Sequence, residues 1–154
     1  MKKIAVFPGS FDPVTVGHED IVLRAIPLFD EVIIAVGNNT EKKYLFPLAK
    51  RLKWLETIFT GQKNIRVVAY DGLTVDYCKK VGASYIIRGL RTSGDFEFEK
   101  NIAQMNKSMA PGIETILIVC NPAFSAVTST IVKDIIRNGG DASQFVPEGV
   151  DFLG

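Results

Sequence analysis

Five short runs of apolar, mostly β-branched residues alternate with longer segments of helical character. The runs span residues 4–7, 32–36, 65–69, 85–87 and 115–119. Helical spacing of apolar residues is found in segments 18–25, 47–59, 73–81, 95–109 and 128–137. Strands that are apolar almost throughout are typical of a parallel sheet that is covered on both faces. The pattern predicts an α/β fold: a single-domain, Rossmann-like, doubly wound, five-stranded parallel sheet with helices on both faces, spanning residues 1–154.

The helix that follows the fourth run carries further expectations. Asp95 is a good N-cap residue and is expected to begin this helix. Its buried face is predicted to consist of Phe98, Ile102, Met105 and Met109. Near the end of the chain, a last helical turn is expected from Pro147.

Composition excludes several functional classes. Lys plus Arg is 18 and Asp plus Glu is 17, a net charge of +1, whereas a nucleic-acid module usually has a clear basic excess. The chain has one His, and Cys78 and Cys120 form no CxxC pair, so a structural zinc site is excluded. Both thiols are expected to be buried and reduced. The apolar runs are too short for a signal peptide or a membrane span, which favours a cytoplasmic protein without membrane partners.

Ligands of parallel sheets bind beyond the carboxyl ends of the strands, so the residues after each strand are candidates. After the first run, Ser10 leads through a glycine-bracketed turn to His18, the only histidine, at a helix start. This arrangement suits a phosphate held beside an imidazole. The alternative is that Thr15 caps the helix and His18 is a surface or capping residue. After the second run, Lys42 lies on the same edge, where it either reaches an anion or is an ordinary solvated lysine.

Two arginines follow the fourth run. Arg88 and Arg91 are separated by Gly89 and Leu90, and a guanidinium fits phosphate in bidentate fashion. The position at the predicted crevice favours phosphate binding. The alternative is a pair of surface salt bridges with nearby acidic residues. Those residues are Asp95, Glu97 and Glu99.

Hydroxyl side chains follow the fifth run and lead into the last helix. They are Ser125, Thr128, Ser129 and Thr130. Hydroxyls at a helix N-terminus form a second candidate anion-binding site, although simple N-capping needs only one of them.

Two familiar nucleotide-binding motifs do not match the chain. No GxGxxG follows the first strand, and residues 89–94 have Walker A spacing without the Lys-Ser/Thr that should follow. The dinucleotide fingerprint and the P-loop are both excluded.

The chain resembles a nucleotidyltransferase superfamily through two motifs. Thr15-Val16-Gly17-His18 matches the pattern Thr/His-x-Gly-His, and residues 127–133 approximate Ile-Ser-Ser-x-x-x-Arg/Lys. Within that superfamily the chain is similar to the phosphopantetheine adenylyltransferase family, and the likeness covers nearly the whole chain. The segments that carry it are residues 8–13, 87–91, 95–99 and 105–106.

The resemblance implies a reaction of coenzyme A biosynthesis. AMP passes from ATP to the phosphate of 4'-phosphopantetheine by direct in-line attack on the α-phosphorus, giving dephospho-coenzyme A and pyrophosphate. It also implies Mg²⁺ as the cofactor, carried on the phosphates of ATP with no metal-ligating residue from the chain. Members of the family are usually homohexamers.

The same resemblance implies the site residues. The catalytic residues are His18, Lys42 and Arg91. ATP would contact Ser10, Phe11, His18, Gly89, Leu90, Arg91, Glu99, Phe124, Ser125, Ala126, Val127, Thr128, Ser129 and Thr130. The acceptor would contact Ser10, Lys42, Thr74 and Arg88. Ser10, Thr74, Phe124 and the Thr128-Ser129-Thr130 run depart from the usual family residues without removing a charged group, so they bear on affinity rather than on the reaction.

Two other functions remain open at the level of sequence. One is an adenylyl- or cytidylyltransferase with another acceptor, such as nicotinamide mononucleotide or a polyol phosphate. The other is a nucleotide-binding regulatory module without catalysis. The Thr-x-Gly-His segment and the paired arginines argue against the second.

Overall fold

The computed structural model describes residues 1–152 and contains one parallel sheet. Its strands are β1 (Ile4–Gly9), β2 (Glu31–Gly37), β3 (Ile65–Tyr70), β4 (Tyr85–Leu90) and β5 (Glu114–Val119). The order across the sheet is β3-β2-β1-β4-β5, and every neighbouring pair is parallel. The predicted five-stranded parallel sheet is confirmed. The prediction of a single domain over residues 1–154 stays a prediction, and its last two residues lie outside the described part.

Five α-helices connect or follow the strands. They are α1 (Val16–Ala25), α2 (Leu48–Ile58), α3 (Thr74–Val81), α4 (Ser93–Met109) and α5 (Ser129–Arg137). Pro27 ends α1 as its missing N–H requires, and a short 3-10 turn, Ile26–Leu28, follows. Gly82, at φ 74°, ends α3 in the left-handed conformation that glycine adopts without strain. Among residues 1–152, no helix is long and apolar enough to span a membrane.

Alternating side chains of the central strands fill a core on each face of the sheet. On one face, Ile34 and Ile87 pack in a cluster with Val22 of α1 and with Trp54 and Leu55 of α2. On the other face, the buried cluster joins strand residues to helix α3. Its strand members include Val6, Ile33 and Ile86, and its α3 members are Val75 and Cys78. The expected helices on both faces are therefore present.

The fourth strand and the helix after it differ from the sequence-based boundaries. Strand β4 continues to Leu90, so Arg88 lies within the strand and Arg91 directly after it. Thr92, not Asp95, is the N-cap of α4. Asp95 occupies the third helical position, where its carboxylate accepts the Thr92 N–H and completes a capping box.

The predicted buried face of α4 is wrong. Phe98, Ile102, Met105 and Met109 are between 38% and 64% exposed, and the buried residue of this helix is Glu99. The carboxylate of Glu99 pairs with Arg88 on β4, which favours burial of this side of the helix. The apolar stripe is left exposed, and two of its members, Phe98 and Ile102, line cavities at the carboxyl ends of the strands.

Two smaller expectations also fail. Cys78 is buried as expected, but Cys120 is only partly buried and lines a cavity at the sheet edge; both are free thiols. No helix begins at Pro147. A single 3-10 turn, Ser143–Phe145, precedes it, and the chain after Pro147 folds back so that Val150 and Phe152 pack against the main core.

Candidate active site

The order of strands reverses between β1 and β4, because the chain adds β2 and β3 on one side of β1 and adds β5 beyond β4 on the other. The loops that leave β1 and β4 therefore diverge, and a crevice opens between them. Two cavities occupy this region, with volumes of about 700 Å³ and 400 Å³. Both are lined by Pro8, Gly9, Ser10, Arg88 and Glu99, so they share a wall.

The smaller cavity brings His18, Arg88 and Arg91 together, although they are up to 73 positions apart in the chain, from 18 to 91. Eleven of the fourteen residues predicted to contact ATP line it: Ser10, Phe11, His18, Gly89, Arg91, Glu99, Phe124, Val127, Thr128, Ser129 and Thr130. Leu90, Ser125 and Ala126 do not line it. The wall thus combines cationic, hydroxyl and aromatic groups around one space.

The larger cavity lies on the β2 side of the crevice. All four residues predicted to contact the acceptor line it: Ser10, Lys42, Thr74 and Arg88. Thr74 shares a hydrogen bond of 2.9 Å with the hydroxyl of Tyr70, which also lines the cavity. Lys42 lies on the exposed loop after β2. Cationic groups are therefore present at the rim and at the shared wall.

His18 takes part in the capping structure of α1 and also lines the smaller cavity. Thr15 is the N-cap of α1, and its side chain accepts the backbone N–H of His18. In return, Nδ1 of His18 accepts the backbone N–H of Thr15 at 2.9 Å. A neutral ring held this way carries its proton on Nε2. The capping box therefore fixes the tautomer and orientation of an imidazole that also lines the cavity.

The surroundings of His18 disfavour its charged form. Desolvation first, then the positive charges of Arg88 and Arg91, lower the pKa of His18 from 6.5 to about 4. The imidazole is consequently neutral at physiological pH and can donate a hydrogen bond from Nε2.

Both arginines form ion pairs and still line the smaller cavity. Arg88 holds Glu99 in bidentate fashion, through Nε at 2.7 Å and Nη2 at 2.8 Å, and donates from Nη1 to the carbonyl of Pro8 at 3.1 Å. Arg91 lies 3.4 Å from Asp95. Salt bridges and cavity lining are therefore compatible. Glu99, predicted to contact ATP, has its carboxylate occupied by Arg88.

The hydroxyl side chains before and at the start of α5 have different hydrogen-bond partners. Thr128 caps the helix by accepting the N–H of Ile131, and Ser129 donates to the carbonyl of Pro13 at 2.9 Å. Ser125 donates to Pro122. N-capping thus accounts for Thr128, while the bond from Ser129 attaches α5 to the loop after β1.

Sequence reasoning missed two buried charged residues. The carboxylate of Asp12 accepts the backbone N–H groups of Leu45 and Phe46 at 2.8 Å and 2.9 Å. Arg51 on α2 donates to three backbone carbonyls. A signal for Arg51 is present in the sequence, because it falls at helical spacing between Leu48 and Leu55 on the apolar side of α2.

Comparison with known proteins identifies the group to which the chain is related. The cytidylyltransferase-like family model matches residues 6–135. A phosphopantetheine adenylyltransferase from Flavobacterium psychrophilum is 53% identical over 146 residues, covering 95% of this chain and 96% of the relative. One from Bacteroides thetaiotaomicron is 44% identical over 147 residues, covering 96% and 97%.

The chain belongs to the phosphopantetheine adenylyltransferase family. The resemblance inferred from the motifs is therefore confirmed, as is the prediction of a nucleotidyltransferase enzyme. A solved structure from Vibrio parahaemolyticus, provisionally assigned as a nicotinate-nucleotide adenylyltransferase, superposes with a TM-score of 0.71 at 18% identity, covering 97% of this chain and 90% of that one. At that identity the likeness shows the Rossmann-like fold alone.

The depressed pKa of His18 predicts a measurable titration. Because His18 is the only histidine, its ring signals in an NMR pH titration are unambiguous, and we expect a midpoint of about 4. Arg91→Ala removes one of the charges that lower the pKa, so the midpoint should rise. Arg66→Ala removes an arginine of β3 that pairs with Glu31 on β2, so it serves as the control and should leave the midpoint unchanged.

The same titration fixes the sign of a stability change. Between about pH 4 and pH 6.5 the unfolded chain binds more protons at His18 than the folded chain does, so stability falls as the pH falls through this window. An NMR midpoint near 6.5 in the wild-type protein would contradict the lowered pKa of His18 and the pH dependence of stability that follows from it.

Proposed function

We propose that AMP passes from ATP to the phosphate of 4'-phosphopantetheine at the shared wall of the two cavities, by direct in-line attack on the α-phosphorus. The products are dephospho-coenzyme A and pyrophosphate. The observation that carries this route is the meeting of the two cavities at Ser10 and Arg88. Two substrates bound on either side of that wall would bring their reacting phosphates together, which converts a bimolecular step into a nearly unimolecular one.

We assign ATP to the smaller cavity and the acceptor to the larger one. The smaller cavity is lined by residues at the N-termini of α1 and α5, which favour phosphate groups, and by Phe124. The larger cavity extends from Arg88 past Tyr70 and Thr74, which gives a long arm both polar and aromatic contacts. Lys42 would hold the acceptor phosphate from the loop after β2.

Catalysis here rests on position and charge. The acceptor phosphate is already an anionic nucleophile near neutral pH, so the step requires no strong general base. His18 would donate from Nε2 to an α-phosphate oxygen, and Arg88 and Arg91 would offset the charge that grows on the reacting group. Because the donors are already oriented by the capping box and by the ion pairs, little reorganisation is needed when the substrates react.

Mg²⁺ is proposed to bind to the phosphates of the nucleotide. Among residues 1–152, no group of three or more His, Cys, Asp or Glu side chains could hold a metal ion. Of the nearby carboxylates, Glu99 and Asp95 are paired with arginines. The phosphate oxygens of ATP would therefore supply the ligands, and Mg²⁺·ATP would be the form of the substrate that binds.

The reaction is tested by supplying ATP with each of three acceptors: 4'-phosphopantetheine, nicotinamide mononucleotide and a polyol phosphate. We expect pyrophosphate release and an adenylylated product of the correct mass with 4'-phosphopantetheine only. Turnover with another acceptor instead would reject the substrate assignment. ATP binding without turnover on any of them would favour the regulatory module.

The role of His18 predicts a loss of turnover that is separable from folding. His18→Ala should lower kcat by about 100- to 1000-fold, the typical effect of removing one preorganised donor, with a small change in KM for ATP. His18→Asn is the matched variant. Its side-chain oxygen can accept the Thr15 N–H, as Asp95 does for Thr92 in α4, but it has no group at the position of Nε2.

We expect His18→Asn to retain the melting temperature of the wild type and to lose turnover as the alanine variant does. Near-normal kcat in the asparagine variant would show that the Nε2 donor contributes nothing to the reaction.

We also propose that the chain works in the cytoplasm as a homohexamer, without nucleic-acid or membrane partners. The two free thiols support a reducing cytoplasm, and the net charge of +1 supports the absence of nucleic-acid partners. The apolar stripe of α4 supports assembly, because Phe98, Ile102, Met105 and Met109 are all exposed. A second copy of the chain is the proposed occupant of that stripe.

Assembly is tested by sedimentation velocity. The wild type should sediment as six copies of 16.9 kDa, and Met105→Glu should reduce that mass because a carboxylate cannot be buried unpaired at an apolar contact. Leu28→Glu changes an exposed leucine outside α4 and should leave the mass unaltered. A wild-type monomer would reject the proposal.

A further inference from the structure

Arg51 is a charged residue in the interior of the protein, 1% exposed. Its Nη1 donates to the carbonyls of Ser10 at 2.8 Å and Gly37 at 3.3 Å, and its Nε donates to the carbonyl of Phe46 at 3.1 Å. The guanidinium carbon lies 4.0 Å from the centre of the Tyr44 ring. One side chain thus contacts two loops, the one after β1 and the one after β2.

Those loops form adjoining walls of the larger cavity. Ser10, Gly37 and Tyr44 all line it, and each is in contact with Arg51. The smaller cavity shares only Ser10 with this set. Movement of Arg51 would therefore change the shape of the larger cavity more than that of the smaller one.

The contacts require the particular geometry of arginine. A guanidinium offers several N–H donors in one plane and a flat face for an aromatic ring, whereas a lysine ammonium is a single charged point. The three carbonyls and the ring of Tyr44 use both the plane and the face. Asp12 holds the N–H groups of Leu45 and Phe46, so the same loop is fastened by a carboxylate as well.

We propose that Arg51 is a positioning residue for the acceptor: it fixes the distance between Ser10 and the loop that carries Tyr44 and Lys42. This inference rests on the proposed function, which assigns the larger cavity to 4'-phosphopantetheine. Arg51 touches no substrate. It acts through the backbone of Ser10 and Gly37.

The test compares substrate binding in Arg51→Met with that in the wild type. Methionine keeps an unbranched apolar chain and removes every N–H donor. We expect kcat/KM for 4'-phosphopantetheine to fall by about 100-fold, since a misplacement of about 1 Å costs a reaction that much, and a rise in KM for this substrate should account for part of the loss. KM for ATP should stay close to the wild-type value. Calorimetry should show the same separation in the two dissociation constants.

Two further variants separate positioning from stability. Leu55 lies on α2, as Arg51 does, and packs in the core. Leu55→Ala opens a void there and should lower the melting temperature without changing either KM. Arg51→Lys keeps the charge but loses the planar set of donors, so it should raise KM for the acceptor less than Arg51→Met does. If the methionine variant does not fold, the lysine variant carries the test.

The outcomes distinguish the two proposals. Equal changes in both KM values, or an unchanged KM for the acceptor in an active Arg51 variant, would overturn the inference about Arg51 and leave the proposed function standing. Failure of the wild-type protein to form dephospho-coenzyme A would overturn the proposed function itself.

Discussion

The ion pair between Arg88 on β4 and Glu99 on α4 is the contact on which the rest of the site depends. A buried carboxylate is costly unless it is paired and fully hydrogen-bonded, and the bidentate geometry at 2.7 Å and 2.8 Å meets that condition. The pairing favours burial of the side of α4 that carries Glu99, while the apolar stripe of the helix is exposed. It also holds a positive charge near His18, where that charge helps to keep the imidazole neutral.

Structural and chemical roles coincide at the start of α1. The hydrogen bonds that cap the helix are the same ones that orient the ring of His18 and hold its proton on Nε2. A ring that was free to rotate would lose entropy on meeting a phosphate, whereas this one has already lost it during folding. A role in helix capping is therefore no argument against a functional role for the same residue. The capping hydrogen bonds supply the ring orientation that the Nε2 donor of His18 needs.

Much of the fold follows from local sequence signals, and much of the site from their position after strands. The apolar runs, Pro27 and Gly82 each affect the conformation of neighbouring residues, so their effects can be predicted from the sequence alone. The apolar stripe of α4 was misread because periodicity reveals a stripe without saying what it faces. The sequence does not reveal the roles of Asp12 and Arg51 for a related reason. Apart from the Phe46 carbonyl five positions before Arg51, their backbone partners lie 14 to 41 positions away, which no spacing rule encodes.

Two guanidiniums donate to the backbone at the end of β1 and at the start of the loop after it, from opposite halves of the sheet. Arg88, on the β4 side, donates to the carbonyl of Pro8, and Arg51, on the β2 side, donates to that of Ser10. Carbonyls at the end of a strand lack sheet partners, so these bonds satisfy groups that burial would otherwise leave unpaired. The backbone between the two cavities is thus fixed by the same class of side chain that supplies positive charge to the site. Placing the charge on rigid partners keeps the cationic groups oriented before any anion arrives, which is the condition under which they are most effective.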